Sequence, residues 1–360
     1  MKQYFSSGDL LRSALVMLAA AALFLLSPAA FAASPQSGGQ VVVYNWSEYI
    51  PQDVLDSFTK ETGIKVIYST FESNEAMFAK VKLLRGQSYD VVVPSGYFVD
   101  LMRRDKLVRE IDHSRLPNLS NLDSKLLNQE YDPGNKYSIP YMWGAVGLAY
   151  NTKYVPKGSI TKWSQLLDPK FKGKIILTDD LRDAFGLALR TTGHSINSTD
   201  PAAIKDAHDF LARLKASVRV FDVTAIKQAL ISEEVWVGPI WNGDYLVAKD
   251  ENPDLDYVFP EEGAVLWVDS FVIPIGAANA DNAYTFINYM LRPDVAVRCM
   301  EEYKYSSPNL EAVKLLPEDM RDNRILVPGP DELKNAEFTT GIGDALGIYE
   351  KYWEQIKTLR

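Results

Sequence analysis

The sequence predicts an α/β protein of two lobes, each an open mixed sheet flanked by helices, with the lobes joined by crossing strands. Three observations carry this. From residue 40 onward, apolar runs of strand length alternate with segments of helical period. The 328 residues that follow the N-terminal 32 exceed what one hydrophobic core usually serves. Two apolar segments, Tyr137 to Tyr150 and Ala264 to Ile275, are long and unbroken enough to pass from one lobe to the other, as a hinge would.

Taken in order, the chain opens on an export signal. Lys2 and Arg12 precede an apolar run of 13 residues, Ala14 to Leu26, and Ala30-Phe31-Ala32 supplies the small-x-small pattern for cleavage after Ala32. The run is short of the roughly 18 to 20 residues a membrane-crossing helix needs, so no membrane insertion is expected after cleavage. The only cysteine, Cys299, leaves no disulfide and no N-terminal thiol to lipidate. A periplasmic monomer is the expectation.

The first α/β unit begins with the strand Val41 to Tyr44, followed by a helix from Pro51 whose apolar face is Val54, Leu55 and Phe58 and whose stop is Gly63. Ile64 to Phe71 alternates like a strand. Asn74 starts a second helix with Met77, Phe78, Val81 and Leu84 on one face, and Tyr89 to Val93 is again a strand. A second unit starts with the strand Lys174 to Asp180 and the helix Leu181 to Arg190, and continues through the helix Pro201 to Lys215 and the apolar run Val235 to Ile240. From about Asp281 the pattern reads as mostly helical, with Ala283 to Leu291, Pro293 to Glu302 and Ile342 to Leu359 the clearest stretches.

The formal charge is −9, and −10 without residues 1–32, which disfavours nucleic acid and favours cationic partners. The three histidines, His113, His194 and His208, offer no pair at ligand spacing, so neither a metal nor a cofactor is expected. No Gly-x-Ser-x-Gly elbow and no Gly-rich phosphate loop is present.

In open α/β sheets the loops at the carboxyl ends of the strands form the ligand crevice. Here those loops are acidic and aromatic: Asn45-Trp46-Ser47-Glu48-Tyr49, Pro94-Ser95-Gly96-Tyr97, Asp179-Asp180 with Asp183, and Trp241-Asn242-Gly243-Asp244. Trp267 and Asp269, two apart on a strand, share a face. Asp at a helix start also caps free amides, so within Asp179, Asp180 and Asp183 one acid is expected to cap and another to face the crevice. Several carboxylates among aromatic faces suit an alkyl di- or triamine, whose methylenes lie on the rings and whose ammonium groups pair with the acids.

These segments resemble the periplasmic spermidine/putrescine-binding proteins of polyamine ABC transporters. The resemblance is carried by Tyr44 to Tyr49, Phe58 to Val66, Tyr89 to Ser95, Thr178-Asp179-Asp180, Ile240 to Gly243, Trp267 to Ser270 and Leu291 to Ala296. It implies a type II periplasmic-binding-protein fold, with lobe 1 formed by 33–143 and 269–313 and lobe 2 by 144–268 and 314–360, and it implies docking on ABC permease subunits. It further implies an aromatic box of Trp46, Tyr97, Trp241, Trp267 and Tyr305, with Asp269 and Asp180 holding amines and Ser47 and Glu48 completing one end. Three positions depart from the spermidine binders: Asp183 stands for a longer Glu, Thr339 for a Gln, and Asp244 for a Ser that putrescine binders replace by Asp. Spermidine against putrescine therefore stays open. Two other readings stay open as well: a carbohydrate hydrolase pairing Asp180 or Asp183 with Asp269, and a polyamine sensor that hands its ligand to a receptor.

Overall fold

The computed structural model describes residues 38–359, so the expected export signal and its cleavage after Ala32 lie outside the described residues. The first unit runs β1 (Gln40–Trp46), α1 (Gln52–Thr62), β2 (Lys65–Phe71), α2 (Asn74–Leu83), β3 (Val91–Val92) and α3 (Gly96–Arg104). β1 pairs parallel with β2 on one side and with β3 on the other. α1 buries Val54, Leu55 and Phe58, and it stops where Gly63 turns left-handed (φ 71°) and its N–H reaches the Thr59 carbonyl. The segment Pro94 to Tyr97, read as loop from the sequence, instead turns directly into α3. Tyr97 therefore stands in a helical first turn, on a helix whose first residue, Gly96, has no room for a side chain: a Cβ there would lie 2.4 Å from the Tyr131 ring.

The middle of the chain supplies β4 (Ser138–Asn151), β5 (Ile175–Leu177), α4 (Leu181–Thr191), α5 (Pro201–Lys215), β6 (Val218–Phe221), α6 (Ile226–Ile231), β7 (Val237–Trp241), α7 (Asn242–Glu251), β8 (Leu255–Val258) and β9 (Val265–Val272). β5 pairs parallel with β6 and with β7. β4 and β9 are the crossing strands. Over its first part β4 runs antiparallel to β9, from Ser138 opposite Val272 to Val146 opposite Val265. Beyond that point it pairs with β7 and β8 instead. β9 also meets β3 antiparallel, at Val92 and Val272. Two parallel groups are thus joined through an antiparallel middle, giving the strand order β2-β1-β3-β9-β4-β7-β5-β6. The ladder between the crossing strands shifts register between Pro140 and Met142, where proline has no N–H to offer.

Before β4 the chain is held by Asp132, whose Oδ1 accepts the Lys136 N–H and whose Oδ2 accepts the N–H groups of Tyr137 and Ser138 and the Ser138 hydroxyl. The carboxylate is buried and cannot be replaced by water without rebuilding the loop. Asp132→Ala should lower unfolding free energy by about 2 to 3 kcal/mol in a denaturant melt; an unchanged midpoint would show that these bonds contribute nothing net.

The C-terminal third adds α8 (Ala280–Met290), α9 (Pro293–Tyr303), α10 (Leu310–Leu315), α11 (Glu318–Arg321), β10 (Glu337–Phe338) and α12 (Leu346–Thr358). α8 and α9 match the two helices read from the sequence closely. The stretch before the last helix does not: β10 pairs parallel with β9, and α12 starts at Leu346 rather than Ile342, behind a turn in which Gly343 is left-handed at φ 53°. The last helix packs on α4 through Tyr349, which is fully buried edge-on to Phe185.

Candidate functional site

One cavity of about 380 Å³ opens where the carboxyl ends of β1, β3, β5 and β7 face the crossing strands. All fourteen sequence-predicted site residues line it: Trp46, Ser47, Glu48 and Tyr49 after β1, Ser95 and Tyr97 at the start of α3, Asp180 and Asp183 at the start of α4, Trp241 and Asp244 at the start of α7, Trp267 and Asp269 on β9, and Tyr305 and Thr339 from the C-terminal third. Asp179 does not line it; its carboxylate points to Lys357, 3.6 Å away.

Asp269 is the most firmly held acid. Ser95 donates its hydroxyl to Oδ1 (2.6 Å) and Tyr49 donates its phenol to Oδ2 (2.7 Å). Ser95 is in turn fixed by Asn74, the first residue of α2, which accepts the Ser95 N–H and donates to the Ser95 and Tyr97 hydroxyls. The network joins β1, α2, α3 and β9, so the carboxylate has one orientation.

At the start of α4 one acid caps and another faces the crevice, as the sequence suggested, and the capping acid lines the cavity as well. Asp180 Oδ1 accepts the N–H groups of Arg182 (2.8 Å) and Asp183 (2.9 Å), which caps the helix, while the residue also lines the cavity. Asp183 is reached by the indole N–H of Trp241 at 3.0 Å. Arg182 lies between the two acids in sequence but turns away to the carbonyls of Thr340 and Ile196 and to Asn197 Oδ1, with its guanidinium 5.1 Å from the Tyr97 ring centre.

The opposite end is built from Asp244, Tyr305, Glu48 and Lys227. Tyr305 donates to Asp244 Oδ1 (2.9 Å) and stands edge-on to both Tyr49 and Trp267. Its ring lies against Gly243, where a Cβ would come within 2.5 Å, so glycine is required for that approach. Lys227 places its ammonium 2.5 Å from Glu48 Oε2 and 3.5 Å from Asp244 Oδ1. Glu48 takes up this position from a left-handed backbone (φ 51°), a conformation that costs a non-glycine residue about 1 kcal/mol or more. At the mouth, Ser47 donates to Glu72 at 2.7 Å.

The electrostatics of the two ends differ. Among the described residues Asp180, Asp183 and Asp269 form no ion pair, whereas Glu48 and Asp244 share Lys227. Burial raises Asp269 to about 7, even against the hydroxyls of Ser95 and Tyr49 that favour its anion. Burial and then the neighbouring Asp180 push Asp183 well above the usual carboxylate range, and burial raises Asp180 despite its two backbone N–H donors. These are carboxylates kept out of water without an ion-pair partner, and the Arg182 charge offsets only part of the burial of Asp180 and Asp183, an arrangement that costs free energy. The Trp46 and Trp267 indole nitrogens and the Thr339 hydroxyl are likewise buried without a protein partner.

Six lining residues escaped the sequence reading: Glu72, Asn74, Arg182, Val223, Thr224 and Lys227. Val223 and Thr224 lie in the loop between β6 and α6 and Lys227 on α6, beside a short strand and on a six-residue helix with no period long enough to register. The Pro201 to Lys215 helix pointed to a following strand, and that was the available signal.

The sequence profile of the family described as bacterial extracellular solute-binding protein matches residues 53–326. The chain is 44% identical over 344 residues to the spermidine/putrescine-binding periplasmic protein of Escherichia coli K12, covering 96% of this chain and 98% of that one. It is 31% identical over 363 residues to the putrescine-binding periplasmic protein PotF of the same organism, covering 95% and 96%. Among solved structures it is similar to the spermidine/putrescine ABC transporter substrate-binding protein PotD of Streptococcus pneumoniae, with a TM-score of 0.78 and 37% identity over 89% of this chain and 99% of that one. With its two-lobed α/β architecture of the type II periplasmic-binding-protein kind, the chain belongs to the bacterial extracellular solute-binding protein family.

Proposed function

We propose that this chain captures a polyamine, putrescine or spermidine, in the cavity between its lobes and delivers it to the permease subunits of an ABC transporter from the periplasm. One observation carries the reading: among the described residues Asp180, Asp183 and Asp269 are buried beside Trp46, Tyr97, Trp241 and Trp267 without an ion pair, and the nearby Arg182 lowers the first two less than burial raises them. Ammonium groups relieve that unpaired charge, and each ring they approach adds about 0.5 to 2 kcal/mol. The names of the 44% and 31% identical relatives agree with this chemistry. All fourteen cavity residues named from the sequence are assigned to the ligand, as the wall of one acidic, aromatic slot.

The lobes are taken as 33–143 with 269–313 and 144–268 with 314–360. The pairing of Trp143 with Val268 supports this division, because the first two of the three chain crossings then fall at one level of the ladder. Cargo bridging both lobes favours the closed form, which is the form a permease distinguishes from the empty one. Calorimetric titration with putrescine, cadaverine, spermidine and spermine tests the reading. At least one should bind with micromolar affinity or better, about −8 kcal/mol; no heat with any of the four would sink it.

A further inference from the structure

The cavity contains an ammonium group that belongs to the protein. Lys227 Nζ stands between Glu48 and Asp244, and both side chains of the Lys227–Asp244 contact are largely shielded from water, at 21% and 16% exposure. Asp244 is tied to the aromatic wall by the Tyr305 hydroxyl, so this cation is part of the slot rather than of the outer surface. At the other end Asp180, Asp183 and Asp269 receive only neutral donors: backbone N–H groups, an indole and two hydroxyls.

We propose that Lys227 fills the amine position between Glu48 and Asp244 with its own ammonium and so sets the length of the ligand, making the slot select a short diamine over a triamine. The inference rests on the polyamine reading above. A diamine spends its two charges on Asp180, Asp183 and Asp269 and leaves Lys227 in place. A triamine lying along the same slot brings a third ammonium to Glu48 and Asp244, where it meets a like charge within a few ångströms. Lys227 cannot yield by losing its proton: burial pulls its pKa down, but Asp244 and Glu48 outweigh burial and the net direction is up. Yielding by swinging out would take away the cation that Glu48 and Asp244 share and give up its contacts to both. The remaining acid, Glu72, is exposed at the mouth, where an ion pair gains little. Selectivity of this kind comes from a repulsive element built against the wrong ligand.

The test is calorimetry with putrescine and with spermidine on the wild type and on Lys227→Met and Lys227→Gln, two variants of a partly exposed position on α6, each checked for folding by circular dichroism. The wild type should bind putrescine about tenfold or more tightly than spermidine, and either variant should shift that ratio about tenfold or more toward spermidine, mainly through tighter spermidine binding. A wild type that prefers spermidine, or variants whose ratio stays within about threefold of wild type, would overturn the assignment of Lys227 while leaving polyamine capture standing. A wild type that binds neither amine would overturn the polyamine reading itself.

Discussion

Asp269→Asn is expected to weaken polyamine binding by about 3 to 5 kcal/mol and, in the same protein, to raise the melting temperature without ligand. The two effects have one origin. Asp269 is buried, its two oxygens are fixed by Ser95 and Tyr49, and among the described residues it forms no ion pair. The amide keeps the shape but offers an ammonium only a neutral dipole, so the ligand's charge enters a dry slot unpaired. For the empty protein the sign reverses. A carboxyl that titrates at about 7 when folded and at about 3.9 when unfolded costs the folded state on the order of 4 kcal/mol above neutral pH. Asparagine removes that cost, less whatever is lost in reorienting the two hydroxyls. Calorimetric titration and a thermal melt at about pH 7.5 read the two halves. Unchanged affinity would remove Asp269 from the site, and a lowered melting temperature would show that its hydrogen bonds outweigh its desolvation.

Affinity should rise with pH by about tenfold or more per unit between about 5 and 7, below the value to which Asp269 is raised. Asp269 is raised to about 7, and Asp180 and Asp183 are raised as well, all chiefly by burial. Below those values the empty site holds protons that an ammonium must expel, so binding releases protons and tightens as pH rises. Polyamine nitrogens resemble lysine, near 10.4, and stay charged across this window. Stability of the empty protein runs the other way. For an acid whose folded pKa lies above its unfolded one, the folded state binds more protons, and stability falls as pH climbs from about 4 through about 7. Titrations at a series of pH values in low-affinity buffer amines check both trends. A flat affinity profile would mean that the carboxylates are already ionised in the empty site.

The acids and aromatic rings of the cavity were legible because they occupy loop ends, where ordinary connectors carry Gly, Asn or Asp. Trp46, Glu48, Trp241 and Asp244 stood out on that ground alone, and Asp269 through its two-residue spacing from Trp267. Tyr305 and Thr339 entered through family resemblance only. Their positions depend on α9 and on the two-residue β10, and contacts of that range leave no local pattern. Lys227 shows the limit most clearly. On a six-residue helix a lysine reads as a solvated face, and only the tertiary approach of Glu48, 179 residues away in sequence, turns it inward. Arg182 was hidden for the opposite reason: between two acids it reads as their partner, yet it bonds to carbonyls in the C-terminal third and beyond α4.

The crossing ladder has uneven stiffness. From Val146 to Tyr150 β4 has strand partners on both edges, whereas from Ser138 to Ala145 its ladder is to β9, and bending either part means stretching those hydrogen bonds. The register break between Pro140 and Met142 removes that resistance at one level, and Met142 stands directly opposite Asp269. Torque applied across the two strands is therefore taken up next to the residue that reports whether a cation has arrived. Compliance and charge sensing share one rung of the sheet.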